Sequence, residues 1–158
     1  MDTSQYDDYQ PNTMYTIYIV APAQKVWAAL TQPEFTTQYF FGRRIESDWK
    51  VGSSWQLLTD DGTLDVQGKV LESDPPRKLV VSWRVVRMEE LRHLPDTVVT
   101  YQIDDLGELV RLTMTEAHSP TLDSKYLEGG RKGWPIILCG MKSLLETGHA
   151  LPKFEMSR

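Results

Sequence analysis

Lys78-Leu79-Val80-Val81-Ser82-Trp83-Arg84-Val85-Val86 is the stretch from which the fold is read. Leu79, Val81, Trp83 and Val85 take every second position among β-branched and aromatic neighbours. A period of two puts them on one face of a strand. The pattern returns downstream. Val99, Tyr101 and Ile103 alternate in a strand over 97–103, and Val110, Leu112 and Met114 in another over 109–116. Asp104-Asp105-Leu106-Gly107 joins these two with turn chemistry short enough for a hairpin. Antiparallel strands of this kind turn one face to a core and one to water.

Upstream, strands are predicted over 43–47, 54–58 and 64–72, separated by Val51-Gly52-Ser53 and Asp60-Asp61-Gly62. Asp74-Pro75-Pro76 turns the chain into the strand already read. Earlier still, Met14 to Val20 reads as a first strand. Ala21-Pro22-Ala23 ends it, and Val26, Trp27 and Leu30 follow at helical spacing. Pro33 opens a second short helix toward Phe40. Residues 1–12 carry Asp2, Asp7 and Asp8 without a basic residue and are expected to be a disordered acidic tail. A single domain is expected over 13–158.

At the other end, Leu122, Tyr126, Gly130, Trp134, Ile137, Leu138, Met141 and Leu145 step by three and four. That spacing makes one apolar stripe on a helix. Gly129, Gly130, Gly133 and Pro135 interrupt its first half, so the expectation is a short helix near 121–128, a break, and a main helix over 132–147 stopped by Gly148. The fold class is α+β: a curved antiparallel sheet of about six or seven strands around a long C-terminal helix, with two short helices after the first strand.

Composition narrows the function. The chain has 158 residues, enough to hide roughly two-thirds of its surface on folding. With 17 Lys and Arg against 22 Asp and Glu, its formal charge is −5, which argues against nucleic acid as a partner. One cysteine, Cys139, excludes an intrachain disulfide and Cys-rich zinc sites, and its reading is a packing or half-exposed thiol. His93, His118 and His149 are scattered and show no metal-binding spacing, and no phosphate-cradling glycine motif occurs, so neither metal nor cofactor is expected. The amino terminus has no leader pattern and no apolar run is long enough to span a membrane, so the expected place is the cytoplasm.

Several pieces, in order, resemble a known family. They are Ile19-Val20-Ala21-Pro22 leading to Val26-Trp27-Ala28-Ala29-Leu30-Thr31, then Pro33-Glu34, Val51-Gly52-Ser53 and Gly68-Lys69-Val70-Leu71-Glu72. Pro75-Pro76-Arg77-Lys78-Leu79, Ser82-Trp83, Gly133-Trp134 and Leu144-Leu145-Glu146-Thr147-Gly148 complete the set. Together they resemble the SRPBCC superfamily, also called START-like or Bet v 1-like. The branch they look closest to is the one named after the C-terminal domain of the Hsp90 ATPase activator. The resemblance implies a helix-grip fold with a cavity between sheet and C-terminal helix.

Large side chains are the candidates for that cavity's wall: Trp27, Tyr39, Phe41, Trp55, Trp83, Tyr101, Trp134, Leu138 and Met141. The alternative for each is a place in a filled core. Glu116 continues the inward phase of Val110, Leu112 and Met114 and would face the cavity mouth unless the strand ends before it. A carboxyl in an apolar setting can donate a hydrogen bond or act as acid or base. Arg43 and Arg44 would hold an anion or pair at the surface, and residues 87–96 would be a lid or a solvated loop. The leading expectation is binding of a small apolar or aromatic molecule without catalysis. Two alternatives stand beside it. One is a protein-binding domain with a chaperone partner, which the resemblance implies. The other is an enzyme of the cyclase or dehydratase kind, for which Glu116 and His118 are the catalytic candidates. Both a monomer and a homodimer fit the sequence.

Overall fold

A computed structural model describes residues 1–155, so the last three residues of the domain expected over 13–158 lie outside the described residues. The elements are β1 (Gln10–Ile19), α1 (Ala23–Thr31), α2 (Pro33–Tyr39), β2 (Arg44–Glu46), β3 (Ser54–Leu58), β4 (Leu64–Asp74), β5 (Lys78–Val85), α3 (Glu89–Arg92), β6 (Thr97–Asp105), β7 (Val110–His118) and α4 (Glu128–Thr147). The seven strands form one antiparallel sheet in the order β1-β7-β6-β5-β4-β3-β2. The meander from β2 to β7 therefore runs in chain order, and β1 joins on the far side of β7. This is the α+β helix-grip arrangement that the sequence predicts.

Alternation decides which way the sheet faces. Every second residue of β7 is buried, in the series Val110, Leu112, Met114, Glu116, His118. Val99, Tyr101 and Ile103 of β6 stand beside this row, with Val99 paired to Glu116 and Tyr101 to Met114. Across them lies α4, which buries Trp134, Ile137, Leu138, Met141 and Leu144. Burying each such side chain contributes about 1.5–3 kcal/mol. Edge strand β1 is shielded by the same helix: Lys142 Nζ donates to the Tyr18 carbonyl at 2.7 Å, and the Val20 N–H donates to Glu146 at 2.8 Å. Those groups would otherwise offer an open edge to another chain.

Two regions depart from the sequence reading. Residues 1–12, expected to be disordered, take a defined course. Ser4–Tyr6 form a short 3-10 turn and β1 already begins at Gln10. The Tyr6 and Tyr9 hydroxyls donate to the Asp96 carboxylate and the Asp96 carbonyl, at 3.3 and 2.7 Å. The acidic composition hides these anchors because their partner is about ninety residues away in the chain.

The second departure is the helix. α4 is continuous from Glu128, with a 3-10 turn at Ser124–Leu127 before it, in place of the expected short helix and break. Pro135 lacks the N–H that would bond the Arg131 carbonyl four residues back. The Tyr15 hydroxyl, from β1, donates to that carbonyl at 3.3 Å instead. The helix ends where expected, the Gly148 N–H closing on the Leu144 carbonyl at 2.9 Å.

Candidate functional site

Trp55, Trp83, Trp134, Phe40 and Tyr101 meet under α4. The Trp55 and Trp83 rings are 4.8 Å apart, Trp83 and Trp134 5.4 Å, Phe40 and Trp134 5.8 Å, and Tyr101 and Trp134 6.1 Å. Two polar ends in and beside this cluster are paired with backbone carbonyls. Trp55 Nε1 donates to the Ser82 carbonyl at 2.8 Å, and the Tyr39 hydroxyl to the Ala29 carbonyl at 2.6 Å. Gly68 makes the first of these possible, since a Cβ there would lie 1.8 Å from the Ser82 oxygen and 2.6 Å from Trp55 Nε1. Between Trp55, Tyr101, Tyr39 and Trp83 only about 10 Å³ is left, room for no more than a water. Aromatic side chains have filled the deep interior.

Open space is found elsewhere: one region of about 470 Å³ is bordered by Gln38, Tyr39, Phe41, Ile136, Gly140 and Leu151, and another, which the buried polar residues of the sheet reach, lies toward the N-terminal half of α4. The latter is a cleft of about 320 Å³, at the lower end of the range of about 300–1,000 Å³ common for small-molecule sites. Its floor is Trp83, Trp134, Glu116 and His118. Leu91, Leu94 and Pro95, from the segment between β5 and β6, form one wall; Leu122 and Tyr126 form another. Gly129, Gly130 and Gly133 of α4 and Phe41 also line it, with Val66, Val85, Thr97, Ile137 and the charged Asp65 and Arg84. Phe41 stands half out in solvent at the mouth, with a left-handed φ of 51°. Arg43 holds it there, bonding the Phe41 carbonyl at 2.9 Å and the Asp65 carboxylate at 2.7 Å.

Glu116 and His118 are 8% and 6% exposed, so both are removed from bulk water yet border the cleft. Burial pushes the Glu116 carboxyl above its ordinary range, against the indole of Trp134 and the charge of Arg131. Burial pushes the His118 imidazole down, and Arg131 acts in the same direction. Gly130 lets α4 lie directly on the carboxyl: a Cβ there would be 2.7 Å from Glu116 Oε1. His118 Nδ1 lies 3.1 Å from the Asn12 side-chain oxygen. An amide oxygen only accepts, so Nδ1 carries the hydrogen and Nε2 keeps the lone pair. Thr13, paired across the sheet with Glu116, has a buried hydroxyl without a partner.

Of the residues read from the sequence as site candidates, Phe41, Trp83, Glu116 and Trp134 border the cleft, with His118 beside them. Tyr39, Trp55 and Tyr101 lie in the filled interior, Leu138 and Met141 in the packed face of α4, and Trp27 on α1 is half-buried against the core. Arg43 and Arg44 pair with Asp65 and Glu46. The sequence does not single out Asn12, Gly130 or Arg131 for the site. Glycines grouped on one helical stripe were the available signal of a close approach there. Among the described residues, no three His, Cys, Asp or Glu side chains group as a metal ion requires, and no helix is long and apolar enough to cross a membrane.

These features define a class: a helix-grip domain whose aromatic interior opens at one end into a small apolar cleft with a buried acid and a buried imidazole. The family described as Activator of Hsp90 ATPase homolog 1-like protein matches residues 20–146, and the chain belongs to that family. No curated protein matches it. Among solved structures it is similar to CalU16 from Micromonospora echinospora, at 24% identity over 88% of this chain and 76% of that one, with a TM-score of 0.68. It is similar to PFC0360w, an HSP90 activator from Plasmodium falciparum, at 23% identity over 77% of this chain and 86% of that one, with a TM-score of 0.62. The Aha1 dimer from Colwellia psychrerythraea shares 19% identity over 85% of this chain and 96% of that one, with a TM-score of 0.66. At these identities the likeness is one of fold.

Proposed function

We propose that the chain binds a small, mainly apolar aromatic molecule in the cleft floored by Trp83 and Trp134. The observation that carries this reading is the lining itself: two indoles, Phe41, Leu91, Leu94 and Leu122 around about 320 Å³, with Glu116 and His118 buried at the floor and the other charges, Asp65 and Arg84, taken up in ion pairs. Apolar burial, at roughly 25 cal/mol per Å², would drive association, and Glu116 would orient the guest with one hydrogen bond. Gly133 offers a clean test. A Cβ there meets only Phe41, at 4.0 Å, so a larger side chain grows into the open cleft. Gly133→Leu also removes a helix-interior glycine, worth up to about 1 kcal/mol. The variant is expected to melt no lower than the parent and to bind 2-naphthol at least about tenfold more weakly by calorimetry. Unchanged affinity contradicts the reading.

A second reading, a surface for a chaperone partner, draws on Met14, Tyr18 and Val20. They lie exposed on the outward side of β1 and the residue after it. The fold likeness to an HSP90 activator from Plasmodium falciparum supports the same reading. Capture of purified Hsp90 that is lost in a Met14→Ser, Tyr18→Ser double variant would carry it; no capture by the parent chain would sink it.

A further inference from the structure

Resting on the cleft reading, we infer that the site moves a proton on an apolar ketone, with His118 as the base and Glu116 as the acid. Both residues are more than nine-tenths buried, and both border the same cleft. They sit two residues apart on the same face of β7, hence roughly 6.6 Å along the strand. That spacing lets one flat molecule meet both, a carbonyl oxygen at the carboxyl and an adjacent C–H at the imidazole.

Each group is equipped for its part. Asn12 fixes the hydrogen of His118 on Nδ1 and leaves Nε2 basic. Gly130 lets α4 lie against the carboxyl of Glu116, where a Cβ would come within 2.7 Å of Oε1. Burial drives the two in opposite directions, favouring the neutral form of each. The other charged groups bordering the cleft are Asp65 and Arg84, both ion-paired, and Arg131 stands nearby on α4. The rings of Trp83 and Trp134, tilted by 57° to one another, give an aromatic guest both a face and an edge to pack on.

The step balances within the site. His118 Nε2 takes the proton from the carbon next to the carbonyl, and the C–H pair becomes the C=C bond of an enol. The carbonyl π pair moves to oxygen, which takes the Glu116 proton. Imidazolium and carboxylate remain, and return of the protons, to the same carbon or to another in conjugation, restores both groups. No oxidant, reductant or second substrate enters.

The test uses 2-tetralone in deuterated buffer, with deuterium uptake at its α-carbons followed by mass spectrometry and binding followed by tryptophan fluorescence. The expected result is uptake above the buffer rate by the whole chain. His118→Gln should lose about 10²–10⁴-fold of it and Glu116→Gln at least about tenfold, with the ketone still bound. Should His118→Gln fail to fold by circular dichroism, Glu116→Gln, nearly isosteric, decides alone. Uptake at the buffer rate with the ketone bound, or uptake that survives Glu116→Gln, overturns the inference and leaves the binding reading standing. Neither fluorescence change nor uptake overturns both.

Discussion

At Glu116 a carboxyl is held where water would normally reach it, and the cost appears in its titration. The folded chain keeps the Glu116 proton to a higher pH than the unfolded chain does. The folded state then binds more protons, so this contribution to stability is fully present below the ordinary 4.5 and lost as pH rises through the raised value. His118 works the other way: its contribution is present above the ordinary 6.5 and lost as pH falls through the lowered value. Glu116→Gln removes only the first slope. Melting temperatures measured from about pH 4 to 8 should show the Gln variant gaining on the parent as pH rises through the carboxyl's window. A difference that does not change with pH contradicts the burial account. The inward direction of Glu116 is legible in the sequence, because it extends the two-residue period of β7. Its closeness to Gly130 is not, because that contact joins two elements that share no local pattern.

Among the elements, strands read well and the helix reads in part. Alternation places β3, β5, β6 and β7 within about two residues of their observed ends. α4 is harder, since its glycines and Pro135 are local signals for a break. The helix runs through them all the same, and the Arg131 carbonyl that Pro135 leaves free accepts from the Tyr15 hydroxyl of β1. The segment between β5 and β6 shows the same limit. It carries α3 and covers the cleft, and it is tied down at Asp96. Arg84 Nε bonds the Asp96 carboxylate at 2.7 Å, and Tyr6 and Tyr9 reach the same residue from the amino terminus. Asp96→Ala leaves the Tyr9 bond to the carbonyl but removes the others. The expected cost is about 1 kcal/mol, because the pair is partly solvated. Hydrogen exchange should quicken over residues 4–9 and 87–95 while the amides of β6 and β7 keep their protection. Equal quickening across the sheet, or none in either segment, would contradict a latch.

For the whole molecule, the sequence predicts a sheet wrapped on a helix and large side chains between them, and that is the architecture observed. It does not reveal how the volume divides. Whether Trp55, Tyr101 and Tyr39 line a cavity or fill it depends on distances of an ångström between elements, and packing to interior density leaves little to spare. The deep interior is filled, and the cleft that Glu116 and His118 border opens beside the first half of α4, where three glycines supply no side chains. The central claim, that a guest binds there and not deeper, has a direct measurement. The chain contains five tryptophans, and each indole N–H is a separate reporter in a 1H–15N spectrum. On titration with 2-naphthol the Trp83 and Trp134 signals should shift, while Trp27 and Trp49, which lie outside the cleft lining, stay in place. Shifts at Trp27 or Trp49 with Trp83 and Trp134 unmoved would contradict the account.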